Sequence, residues 1–188
     1  MSEGKLVLIV APSGTGKSTI IKRLLKDIEN LELSVSFTTR PMRPGEENGV
    51  DYNFIEEDDF LKRKDEGEFL EWAQVHGNYY GTSKKYIAAK RKEGTHVLLD
   101  LDVQGADSMK EIYGDDIKVV FIAPPSIDEL ENRLRHRGTE NTGIINLRLA
   151  NAKAEMLRKD DYDFCVLNDD LEKAYANIKK LFTEILGA

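Results

Sequence analysis

The sequence predicts an α/β fold: a central parallel sheet flanked by helices, with one inserted sub-domain and a helical lid. Three observations predict it. Residues 5–10 (Lys-Leu-Val-Leu-Ile-Val) are a continuous apolar, β-prone run, as expected of a strand buried on both faces. A glycine-rich turn and a helical pattern follow it directly. Further apolar runs then alternate with helical segments to the end of the chain, the rhythm that builds a parallel sheet covered by helices.

Taken in order, Ile20, Ile21, Leu24, Leu25 and Ile28 have the spacing of a helix with one buried face, so residues 5–28 read as strand, loop, helix. Residues 36–82 break the rhythm. They are rich in Thr, Arg, Pro, Gly, Asn and Tyr, with short strand-like pieces and one helix near 58–64, and read as an inserted substrate sub-domain. Runs at 96–101, 118–123 and 164–167 read as further central strands, and 105–113, 126–136, 144–158 and 170–186 as helices between and after them. The polar, arginine-rich stretch 126–155, with Gly138 and Gly143 as hinges, reads as a lid. The expected organisation is one domain over 1–188, with its core in 1–35, 83–125 and 156–188, the insertion in 36–82 and the lid in 126–155. Trp72, Phe54 and Phe60 are expected in the core.

The 188 residues suffice for one compact core, and 40% hydrophobic with 32% charged residues is ordinary for a globular chain. No apolar run approaches the roughly 20 residues of a membrane helix. The start, Met1-Ser2-Glu3-Gly4-Lys5, has neither a basic n-region nor a small-residue cleavage site, so a cytoplasmic protein with no membrane partner is expected. A net charge of −7 argues against a general nucleic-acid binder. Any phosphorylated ligand must then be held by a few focused cations or backbone N–H groups. The single cysteine, Cys165, cannot form an internal disulfide and reads as a small buried hydrophobe. His76, His96 and His136 lack metal-ligand spacing.

Residues Ala11-Pro12-Ser13-Gly14-Thr15-Gly16-Lys17-Ser18 match the phosphate loop GxxxxGK(S/T) at every defined position except the first, and Thr19 follows within the same helix start. Between a buried strand and a helix, such a loop aims consecutive N–H groups and the helix dipole at a polyphosphate. Lys17 reaches the β and γ phosphates and Ser18 ligates Mg²⁺. Ala11 in place of glycine costs about 1–2 kcal/mol if its φ is positive and little if it is negative. The strand end Val97-Leu98-Leu99-Asp100 has the Walker B form, in which Asp100 positions Mg²⁺ through water.

In the insertion, Arg40 and Arg43 are forked donors suited to a phosphate monoester, and the hydroxyls of Tyr52 and Tyr80 complete its hydrogen bonds. The motifs Ser34-Val35-Ser36-Phe37-Thr38-Thr39-Arg40-Pro41-Met42-Arg43-Pro44-Gly45-Glu46, Gly49-Val50-Asp51-Tyr52, Glu71-Trp72-Ala73 and Gly77-Asn78-Tyr79-Tyr80-Gly81-Thr82 resemble the GMP-binding segment of the guanylate kinase family. The resemblance continues through 99–105, 137–140 and 168–170 and so spans nearly the whole chain. It implies a P-loop kinase that phosphorylates GMP, and dGMP, with ATP and Mg²⁺, as a monomer or homodimer.

By that resemblance Arg40, Arg43, Tyr52 and Tyr80 hold the GMP phosphate, while Ser36, Glu71 and Thr82 read guanine and Asp102 stands near its amino group. The chemistry is complementary, because guanine presents N1–H and N2–H₂ donors beside the O6 acceptor. The resemblance also makes Arg133, Arg137 and Arg148 lid arginines that neutralise the transferring phosphoryl group, and gives Asn168 a contact with adenine. Arg133 and Arg137 share a helix face, whereas Arg135 is turned roughly 200° from Arg133. Asp169 and Glu172 have the spacing of a helix cap. Two other classes compete: an inactive guanylate-kinase-like binding module, and a P-loop kinase of a different small acceptor. Intact Lys17, Arg40, Arg43 and lid arginines favour the enzyme.

Overall fold

The computed structural model describes residues 2–75, 77–136 and 142–187. The chain runs through β1 (Leu6–Val10), α1 (Lys17–Asp27), β2 (Leu31–Leu33), β3 (Phe37–Thr38), β4 (Asn53–Phe54), α2 (Glu57–Asp65), β5 (Phe69–Val75) and β6 (Asn78–Ser83). It continues with α3 (Lys84–Lys92), β7 (His96–Asp100), α4 (Val103–Tyr113), β8 (Ile117–Ala123), α5 (Ile127–His136), α6 (Thr142–Met156), β9 (Phe164–Leu167) and α7 (Leu171–Leu186). The main sheet has the order β2-β7-β1-β8-β9, with β2 parallel to β7 and β8 parallel to β9. Every residue of β1 is buried, as its unbroken apolar run requires. The expected parallel sheet with helices is present.

The chain forms two compact units, and the first comprises Met1–Val7 and Asn30–Ile117. It contains all of residues 36–82, whose strands make a second sheet of order β4-β3-β6-β5. The interior of that sheet is aromatic. Phe60 is fully buried and stacks on Phe69 and Tyr79, at centroid separations of 4.6 and 5.3 Å. Such pairs add about 0.5–1.5 kcal/mol beyond area burial. Trp72 departs from the expected core position: it is 45% exposed, with the Lys64 ammonium 4.0 Å from its ring centroid. Strand alternation explains this, since Trp72 and Gln74 are exposed where Glu71, Ala73 and Val75 are half-buried. Helix α3 has no counterpart among the expected helices because it buries only Ile87, too little for a periodic stripe. Ser83 starts it by accepting from Tyr86 N–H, and Glu32 holds it by accepting from the Tyr86 hydroxyl and Lys90.

The second unit comprises Leu8–Glu29 and Lys118–Ala188. Helix α1 is braced by α7, where the Tyr175 hydroxyl donates to Asp27 at 2.7 Å and Arg23 forks onto Glu172 at 2.7 and 2.8 Å. Helices α5 and α6, the described part of residues 126–155, pack through Leu130, Leu134, Ile145, Leu149 and Ala152. Two expectations are corrected here. Strand β9 lies at the edge of the sheet, pairing with β8, so its residues alternate and Cys165 is exposed rather than buried. The cap of α7 is Asp170, which accepts from Lys173 N–H at 2.9 Å; Asp169 instead accepts from Asp170 N–H.

Candidate functional site: two nucleotide half-sites

In the second unit the loop between β1 and α1 is shaped by Gly14 and Gly16, whose φ values of 95° and 90° lie where L side chains are strained. Ala11 is not strained. Among the described residues Asn30 alone of the non-glycines has positive φ, so the departure at the first loop position costs no backbone energy. Thr15 is fully buried, and both its hydroxyl and its N–H donate to the Pro12 carbonyl, closing the loop on itself. Lys17 opens α1 half-buried, with Ser18 and Thr19 exposed beside it. Gly16 at the start of α1 makes no side-chain cap hydrogen bond and no acid stands in the first turn of the helix, which suits an anion at the positive end of its dipole.

The loop is held from three directions. Asn168, only 3% exposed, donates its side-chain N–H to the Thr15 carbonyl at 2.6 Å. Its own N–H bonds the Ala123 carbonyl at 2.8 Å, and its carbonyl accepts from Arg133 at 3.3 Å. Arg148 donates to the Ser13 hydroxyl at 3.0 Å. A Cβ on Gly14 would come within 3.0–3.1 Å of Leu134 and Leu130, so α5 lies directly on the loop. Arg148 therefore touches the phosphate loop itself, Arg133 reaches the Asn168 that braces it while pairing with Glu129 at 3.0 Å, and Arg135 turns away to Glu131. Arg137 lies outside the described residues. For Asn168 the structure shows a bond to the loop itself, a bracing role that the expected adenine contact did not anticipate.

In the first unit Arg40 is the centre of a cluster of polar and aromatic side chains. Its side chain is 11% exposed and its guanidinium forks onto Glu46 at 2.8 and 3.0 Å, donates to the Pro41 carbonyl at 2.8 Å, and lies over the rings of Tyr52 and Phe54 at 5.3 and 5.5 Å. Glu46 bonding comes first among the effects that raise the Arg40 pKa, and a Tyr80 hydrogen bond also contributes. Tyr52 and Tyr80 meet edge-to-face at 5.9 Å. Burial, with the nearby Asp100 charge, pushes the Tyr52 phenol up to about 12, so it remains a proton donor at neutral pH. Arg43 is exposed three residues beyond Arg40. Glu46 is the residue that sequence expectations left without a role; the available signal was the Pro44-Gly45 turn that folds it back onto Arg43.

On β5 and β6 of the same unit, the fully buried Thr82 hydroxyl donates to the half-buried Glu71 carboxylate. Burial, and secondarily the charge of Asp102, pushes Glu71 above the usual carboxylate range. The Thr82 proton thus orients Glu71. Asp102 caps α4 by accepting from Gly105 N–H at 2.9 Å, which fixes one oxygen and explains its place at the end of the turn after β7. Ser36 is half-buried, with its carbonyl accepting from Asn53. Among the described residues no group of three or more His, Cys, Asp or Glu could hold a metal ion, and no helix is long and apolar enough to cross a membrane.

Comparison with known proteins gives a consistent pattern. The guanylate kinase family profile matches residues 3–185. A guanylate kinase from Desulfotalea psychrophila is 47% identical, covering 96% of this chain and 89% of that protein. One from Thermotoga maritima is 49% identical over 92% of this chain and 83% of that protein. The crystal structure of guanylate kinase from Anaplasma phagocytophilum superposes with a TM-score of 0.81 at 32% identity, covering 98% of this chain and 87% of that one.

Proposed function

The chain belongs to the guanylate kinase family, and from that premise we propose how its residues divide the work of ATP-dependent phosphorylation of GMP to GDP. The second unit takes the donor. The N–H groups of residues 13–19 and Lys17 cradle the ATP phosphates, with the two glycines permitting close approach. Arg133, Arg148 and, by its motif, Arg137 neutralise charge on the transferring phosphoryl group. Asn168 keeps the loop in shape by bonding Thr15.

The first unit takes the acceptor. Arg40, Arg43, Tyr52 and Tyr80 hold the GMP phosphate; Glu71 accepts from guanine N1–H and N2–H₂, set by Thr82, while Ser36 faces O6 and Asp102 the amino group. Adenine offers an unprotonated N1 and no 2-amino group, and sites built on such buried bonds discriminate by about 10⁴–10⁵. A GMP phosphate oxygen attacks the γ-phosphorus, the bond to the β–γ bridging oxygen breaks, and its electron pair leaves with ADP. The attacking phosphate is already anionic, so no protein base is needed.

Ser18 would ligate Mg²⁺ and Asp100 would position it through water, hard oxygen donors of the kind this ion prefers. Such an ion would supply neutralisation of the phosphate charge. A cytoplasmic protein with small-molecule partners fits this chemistry. The observation that carries the acceptor assignment is the half-buried Glu71 carboxylate oriented by Thr82. Phosphorus NMR of a mixture with ATP, Mg²⁺ and GMP should show equimolar ADP and GDP, lost in Lys17→Ala; nucleotide binding without GDP would favour the binding-module reading instead.

A further inference from the structure

Glu46 has contacts that converge on both arginines assigned to the GMP phosphate. Residues 43–46 form a tight turn in which Glu46 N–H donates to the Arg43 carbonyl at 3.1 Å. Pro44 fixes the second position and Gly45 supplies φ of 87° at the third, the signature of a type II turn. The turn returns the carboxylate to its own start. Oε2 accepts from Arg43 N–H at 2.8 Å and from Arg40 Nη1 at 3.0 Å, and Oε1 accepts from Arg40 Nη2 at 2.8 Å. One carboxylate therefore ties the Arg40 side chain to the Arg43 backbone.

We propose that Glu46 is a positioning residue for the GMP phosphate: it holds the Arg40 fork in place and fixes its spacing from Arg43. Burial separates this pair from ordinary surface ion pairs, since the side chains are 11% and 18% exposed. Glu46 takes both terminal nitrogens of the guanidinium, Nη1 also donates to the Pro41 carbonyl, and Tyr80 hydrogen-bonds the same side chain, so Arg40 is held on several sides. The rival reading makes the carboxylate a stand-in that GMP must displace, and it predicts the opposite sign on removal.

The inference rests on Arg40 and Arg43 binding the GMP phosphate, and the test separates the two claims. In the intact chain, Glu46→Gln and Glu46→Ala should raise KM for GMP by about 10- to 100-fold, as for loss of a charged hydrogen bond, with the loss carried by KM rather than kcat. KM for ATP and inhibition by guanosine, which lacks the phosphate, should stay near wild type, and Glu46→Asp should recover part of the loss. Glu46→Asp against wild type carries the test if Glu46→Ala does not fold. An unchanged or lower KM for GMP in the folded variants overturns the inference alone, as does an equal weakening of guanosine. Arg40→Ala and Arg43→Ala with wild-type KM for GMP would overturn the underlying phosphate assignment as well.

Discussion

Replacing Asn168 tests how the phosphate loop is held. The side chain is 3% exposed, and its N–H is the donor to the buried Thr15 carbonyl at 2.6 Å. Asn168→Ala leaves that carbonyl without its partner, which costs about 1–3 kcal/mol. For a chain of this size that corresponds to a fall in Tm of about 2–12 °C. Asn168→Asp is expected to cost at least as much, because a carboxylate oxygen then faces the carbonyl where a donor stood. The assay is thermal unfolding without nucleotide, paired with KM for ATP and for GMP. Both variants should melt lower and bind ATP more weakly while KM for GMP holds. A wild-type Tm with weakened ATP binding would refute the bracing role and leave a direct contact with adenine; a wild-type result in both readouts would refute any role for the side chain.

Three further outcomes follow from the same geometry. Glu71→Gln should lower kcat/KM for GMP by roughly 10- to 100-fold per charged hydrogen bond lost, yet raise Tm at neutral pH, because burial disfavours the ionised carboxylate in the folded protein. KM for GMP should climb as pH falls from neutral through the raised Glu71 pKa, since only the ionised group accepts from guanine; a flat profile down to the ordinary glutamate value of about 4.3 would contradict this. In steady-state and melting measurements Gly14→Ala should weaken ATP binding and cost about 1–2 kcal/mol or more, from its φ of 95° and a 3.0 Å approach to Leu134, whereas Ala11→Gly should cost only about 0.4–1 kcal/mol in stability.

Long apolar periodicity made β1, α1, β8 and α7 legible in the sequence, because each buries a stripe or a face that local spacing alone reveals. Helix α3 was not legible, since its one buried residue carries no period and its hold on Glu32 is a contact 54 residues away along the chain. The exposure of Trp72 and Cys165 depends on which face of β5 and which edge of the sheet they occupy, and residue type does not encode either. The proposed binding motifs were readable as residue types: Lys17, Arg40, Tyr52 and Glu71 are polar groups whose spacing packing does not demand. Their partners were less so. Thr82 on Glu71 and Asn168 on Thr15 are orientations fixed by tertiary hydrogen bonds, so sequence placed these residues at the site without showing what each one holds.

The most direct measurement is a coupled assay of ADP release from ATP and Mg²⁺ with GMP, AMP, CMP and UMP offered separately to the wild-type protein and to Glu71→Gln. Wild type should turn over GMP with a preference over AMP approaching the 10⁴–10⁵ available to buried hydrogen-bond readout, and Glu71→Gln should lose most of that preference. Comparable rates with AMP and GMP, or an unaltered preference in Glu71→Gln, would contradict the assignment of guanine recognition to this carboxylate.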